Sequence, residues 1–142
     1  IMVDKVTDRH LQDATVTLNV LSKETKIKAD FKDGVPIIKV QVSMKVNLDE
    51  IVKSNGDEQN IDQFENVISQ ELIDRTKEIM TKRMTDFFEL MKDKKCDVIN
   101  IYKTFYQTKY NKWEKYLDSL ENQDDYLQGI RLELKLDIKA GL

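Results

Sequence analysis

The chain has 142 residues, with 23 Lys plus Arg set against 26 Asp plus Glu for a net charge of −3, and both signs are mixed along its length. That length fits one domain able to bury roughly two thirds of its unfolded surface, while the mixed, slightly acidic surface argues against nucleic acid as a partner. With Cys96 the only cysteine and His10 the only histidine, neither an internal disulfide nor a Cys/His zinc cluster can form, and no apolar run approaches the roughly 18 to 20 residues of a membrane helix.

Residues 1–13 show weak patterning and read as a lead-in or linker, with a single domain expected over 14–142. Opening on Ile1, the chain reads as an excised segment. Period-two alternation, the mark of a strand with one buried and one wet face, then recurs. It places Ala14, Val16, Leu18 and Val20 on one face of "ATVTLNV", and Ile27, Ala29 and Phe31 on one face of "KIKADF". The longest such stretch, "IIKVQVSMKVNL", does the same with Ile38, Val40, Val42, Met44, Val46 and Leu48. "LSKET" between the first two segments reads as a short turn. Between the second and third, Asp33-Gly34 followed by Pro36 marks a hairpin. A polar loop around Asn55-Gly56 ends this half.

From Ile61 the period changes to about 3.6, with Phe64, Val67, Leu72, Ile79, Phe87, Phe88 and Met91 on one stripe. Asn60 with Gln63 three residues on resembles a capping box. A helix of about 32 residues would be roughly 48 Å long, so a kink near Thr81–Thr85 is expected. After a cap at Asp97, a second helical stripe carries Ile101, Tyr102, Phe105, Tyr106, Trp113, Tyr116, Leu117 and Leu120. "ENQDDYLQG" breaks it. The chain then alternates again, with Ile130, Leu132, Leu134, Leu136 and Ile138 opposing Arg131, Glu133, Lys135, Asp137 and Lys139. The order β-β-β-α-α-β predicts an α+β fold. An antiparallel sheet of about four strands would carry the long helix and the aromatic-rich helix on one face.

Chemistry is poorly represented. His10 is the only side chain with a neutral-range pKa for a general base. The pairs Asp57-Glu58 and Asp124-Asp125 lie in polar loops, where solvation accounts for them. Gly34, Gly56, Gly129 and Gly141 are scattered and make no phosphate cradle. Cys96 follows two lysines at a helix junction. No catalytic residue, metal ligand or cofactor is expected. The row Tyr102, Tyr106, Tyr110 with Trp113 near it is the exception. Rings at helical spacing make good anchors, so Tyr106, Tyr110 and Trp113 are the candidate interaction or pocket residues, although such a stripe also suits a core.

The words "SKETKIKADFKDGVPIIKVQVSMKVNLDEI", "DVINI", Trp113 and the closing "LELKLDIKAGL" occur in an order that resembles the C-terminal domain of the Ger(x)C family, the C subunits of bacterial spore germinant receptors. The resemblance runs from about Thr17 to Leu142. The family pattern often carries Gly near Asn100 and Lys103, a proline before the Trp helix and a second Trp after it, none of which stands here. The resemblance implies a non-enzymatic domain of a longer lipoprotein, anchored at the spore inner membrane through its upstream region and assembled with the A and B subunits. This segment itself would be soluble and would act as an interaction or scaffold module. The alternative is a small-molecule pocket between sheet and long helix. Because the last strand is expected to complete the sheet, a chain ending at Gln128 should melt at a distinctly lower temperature than the whole; an unchanged cooperative melt would show that the last strand seats nothing.

Overall fold

A two-residue turn sets the architecture. In the computed structural model, which describes residues 2–6, 14–53 and 70–141 and the side chains of 17–47 and 70–141, Asp33 and Gly34 have φ of 52° and 78°. Paired positive φ values twist a two-residue loop to match its strands. The turn joins β2 (Ala14–Lys32) to β3 (Val35–Lys53), each 19 residues long. Within β3, Ile38, Val40, Val42, Met44 and Val46 are buried, as alternation predicts.

The expected break at "LSKET" does not occur. The two predicted strands before Asp33 are one, because "LSKET" has no Gly, Pro or Asn to supply a turn conformation. The apolar phase nevertheless switches there, from even positions ending in Leu18 to odd positions including Ala29. Residues 19–28 are all exposed, so neither face is held to one phase. Where a lead-in was expected, β1 (Met2–Val6) pairs antiparallel with β2, Met2 opposite Thr17 and Val6 opposite Ala14.

The last strand, β4 (Arg131–Ala140), lies beside β3 in the order β1-β2-β3-β4. Lys39 of β3 reaches Glu133 at 4.0 Å and Asp30 of β2 at 3.3 Å, and Gly141 N–H donates to the Val46 carbonyl at 2.8 Å. Position advances in the same direction on both strands, so β4 runs parallel to β3. The sheet is therefore mixed, correcting the antiparallel expectation. The reason is the connection: a chain that leaves β3, passes through helices and returns can enter parallel, which a tight turn cannot achieve.

Helix α1 spans Gln70–Lys94 and is unbroken through Thr81–Thr85, where a kink was expected. Ile61 and the Asn60/Gln63 capping box lie outside the described residues. At its end Lys95 takes φ 51°, while Cys96 N–H bonds the Met91 carbonyl and Lys95 N–H the Lys92 carbonyl. This crossed pair satisfies carbonyls the helix leaves open. The aromatic helix is two helices, α2 (Ile101–Thr108) and α3 (Tyr110–Asp118), separated at Lys109 with φ −136° and ψ 43°. A 3-10 segment, Gln123–Gly129, leads to β4.

By contacts the chain forms two compact units. One comprises Ile1–Glu24, Ser43–Lys82 and Leu136–Leu142; the other, Thr25–Val42 and Arg83–Lys135. In the first, Leu18, Met44, Val46, Leu72 and Ile138 are buried, and the buried Thr76 hydroxyl donates to the Leu72 carbonyl at 2.7 Å. In the second, Ile38, Ile101, Phe105, Trp113 and Ile130 are fully buried in one cluster with Phe88, Met91 and Leu117.

Asn100, directly before α2, has φ 57° and ψ 47°. This left-handed position explains how Asn can stand near a position where the resembling family often has Gly, because Asn tolerates the conformation better than other residues with a Cβ. Asn100→Gly should leave stability within about 1 kcal/mol of the parent, whereas Asn100→Val should cost about 1–2 kcal/mol or more. Urea unfolding of the two variants checks this, and equal midpoints would contradict it.

Candidate functional site

In the unit formed by Thr25–Val42 and Arg83–Lys135, the segment after α1 is tied down by Asp97. Its Oδ1 accepts from Ile101 N–H at 2.7 Å and its Oδ2 from Tyr102 N–H at 2.8 Å, the cap expected from the sequence. The same Oδ2 accepts from the Tyr126 hydroxyl at 2.9 Å. Burial, with the adjacent Asp97 carboxylate, holds the Tyr126 phenol well above its usual range. The Tyr116 hydroxyl donates to the Tyr126 carbonyl at 2.6 Å, and burial raises that phenol too. A Cβ at Gly129 would lie 2.5 Å from the Tyr116 hydroxyl; only glycine leaves that hydroxyl room.

The candidate aromatic residues separate. Trp113 is fully buried. It stacks on Phe105 at 4.6 Å between ring centroids and meets Tyr102 and Tyr126 edge to face at 5.4 and 5.9 Å. Tyr106 and Tyr110 are each 49% exposed and lie 5.1 Å apart. Tyr102 bridges the two environments, since it also stacks on Tyr106 at 6.4 Å. The structure thus brings Tyr106 and Tyr110 together on the surface and puts Trp113 in the core.

A second surface feature lies where the alternative reading put a pocket, between sheet and long helix, but other residues line it. Beside the sheet, α1 leaves an apolar groove of about 290 Å³ lined by Ile27, Val40, Met84, Phe87, Leu132 and Leu134 among others. Phe87 is 48% exposed, while its neighbour Phe88 is buried. The doubled phenylalanine was the available signal. Consecutive helical residues point about 100° apart, so both rings cannot face one sheet. Tyr106, Tyr110 and Trp113 do not line this groove.

Among the described carboxylates, Asp125 pairs with Lys95 at 2.8 Å, and Asp124 N–H is bonded by the Asn122 side chain. Asp125 raises the Lys95 ammonium pKa. His10 and Asp57-Glu58 lie outside the described residues. Cys96 is exposed. Among the described residues, no cluster of His, Cys, Asp and Glu is arranged to hold a metal ion, and no helix is long and apolar enough to cross a membrane.

Sheet order, hairpin and crossover helices together define an α+β domain, and comparison with known proteins places that domain. Residues 3–140 match the family described as "Spore germination B3/ GerAC like, C-terminal"; the chain belongs to that family, as the ordered words of its sequence indicate. Among solved structures it is similar to that entitled "Crystal Structure of the GerBC protein", with a TM-score of 0.60 and 16% identity over 89% of this chain. The match spans 37% of the GerBC chain. No curated protein sequence matches.

Tyr126 offers a direct check on the Asp97 network. Below the ordinary phenol value of 10.0 its contribution to stability is fully present. Above it the unfolded chain ionises while the folded chain stays protonated, so stability falls as pH rises. Tyr126→Phe should lose about 1–2 kcal/mol at neutral pH and show a shallower decline in alkali. Thermal melts across pH test both effects, and parallel curves would exclude the proposed linkage.

Proposed function

We propose that this chain is the C-terminal domain of a germinant-receptor C subunit and works as a non-catalytic interaction module. Its groove between α1 and the sheet receives an amphipathic helix of a membrane-bound partner subunit. The observation that carries the reading is the groove itself, with Phe87 and Ile27 held 48% and 38% exposed at its rim. Exposed apolar side chains beside such a channel keep unfavourable contact with water, which a docking apolar face would remove. Helix-in-groove docking needs only such a channel and a few anchor side chains.

Membership in the spore germination family supports this reading, and the partners it suggests are the receptor's A and B subunits. An upstream lipid anchor would hold the protein at the spore inner membrane and bring the groove within reach of them. The role is assembly and relay of the nutrient signal.

A second reading has one observation in its favour. The groove's volume of about 290 Å³ is close to the lower end for small-molecule sites, so an apolar ligand could occupy the same place. Phe87→Asp in the full-length protein should abolish co-purification with the A and B subunits while leaving the fold intact by circular dichroism. Retained complexes would refute the docking role, and a ligand-induced rise in melting temperature that Phe87→Asp removes would favour the second reading.

A further inference from the structure

The free edge of β4 carries a pattern that matches itself. In the order β1-β2-β3-β4, no strand among the described residues pairs with the outer side of β4. Gly141 directs its N–H toward β3. Successive residues of a strand direct their backbone groups to opposite edges, so Leu132, Leu134, Leu136 and Ile138 present theirs on the open side. An open edge of this kind is a template for another strand.

The side chains decide which strand. Along the polar face of β4 run Arg131, Glu133, Lys135, Asp137 and Lys139, strictly alternating in sign. All but Asp137 are exposed. Charges on an edge ordinarily deter association, and a run of one sign would do so. An alternating run behaves differently when two copies meet antiparallel about a two-fold axis. With the axis at Lys135 every pair is like-charged: Arg131 meets Lys139, Glu133 meets Asp137, and Lys135 meets itself. Moving the axis to Leu136 reverses the outcome. Glu133 then lies opposite the partner's Lys139, and Lys135 opposite the partner's Asp137, with both pairs repeated by symmetry. An axis at Leu134 matches charges equally well but overlaps less of the strand.

Backbone parity agrees with this register. Leu136 opposes itself and Leu134 opposes the partner's Ile138, so the residues with free N–H and C=O groups form the hydrogen-bonded pairs. The charged residues fall on the alternate, non-hydrogen-bonded pairs, where side chains approach most closely. Within the chain the carboxylates are only loosely engaged, Glu133 with Lys39 at 4.0 Å and Asp137 with Lys139 at 3.9 Å. They remain available across a junction.

We infer that β4 is a self-pairing edge, and that a second copy of this chain adds its own β4 antiparallel about Leu136 to make one continuous sheet. The interaction uses the backbone edge of β4, whereas the groove beside α1 uses the side chains of Leu132 and Leu134.

Charge exchange tests it. The all-basic variant Glu133→Lys/Asp137→Lys and the all-acidic variant Arg131→Glu/Lys135→Glu/Lys139→Glu place like charges opposite one another in every register. Sedimentation of the 142-residue chain at low salt should show a dimer. Each variant alone should weaken it by at least roughly tenfold, and an equal mixture should restore it, which also shows that both variants are folded. Added salt should weaken the parent dimer. A parent that stays monomeric at every concentration, variants that associate as well as the parent, or cooperatively melting variants that fail to associate when mixed would each overturn the inference.

Discussion

One carboxylate organises the Thr25–Val42 and Arg83–Lys135 unit. Asp97 accepts from two backbone N–H groups at the start of α2 and from the Tyr126 hydroxyl. It joins residues 29 positions apart through a single side chain. The first turn of a helix needs acceptors for its open N–H groups, and here the acceptor also sets where the 3-10 segment lies. Tyr126 in turn offers its carbonyl to Tyr116, and both rings border Trp113. The aromatic core is therefore positioned by polar contacts at its margin as well as by packing.

The β2–β3 hairpin imposes a second constraint. Two residues at positive φ suffice to reverse the chain, so the strands can run long without further punctuation. Their burial is uneven. The even positions of β3 from Ile38 to Val46 are buried, while β2 is exposed on both faces over 19–28. Among the described residues, the parallel entry of β4 leaves the sheet with an unpaired edge of alternating charge, and the groove beside α1 leaves an apolar channel with a half-exposed ring. These two surfaces differ in chemistry, one offering backbone hydrogen-bonding groups and the other apolar side chains.

Legibility in the sequence varied with the kind of information required. The Asp33-Gly34 turn was plain because its conformation depends on those two residues. "LSKET" is short enough for a turn, which is what its place between two alternating segments suggests, but it holds no residue suited to one, and the strand absorbs the change of apolar phase by leaving both faces exposed over 19–28. The row of Tyr102, Tyr106 and Tyr110 was visible, but Trp113 belongs to another environment. The break at Lys109 falls between Tyr106 and Tyr110, yet those two rings stay together at the surface, while Trp113, three residues after Tyr110 in the same α3, turns into the core. Leu72, Phe88 and Met91 of the expected core stripe are buried, whereas Phe87 is half-exposed.

By itself the sequence determined the α+β class, the hairpin, the buried face of β3, the Asp97 cap and membership in the spore germination family, because each depends on local residue chemistry or on an ordered series of words. Tertiary structure decided that β4 runs parallel to β3, which residues line the groove beside α1, and that Trp113 parts from Tyr106 and Tyr110. Periodicity records which face of an element is apolar. It does not record which neighbour covers that face, and the backbone hydrogen bonds that choose a strand's partner and direction are common to every residue except proline.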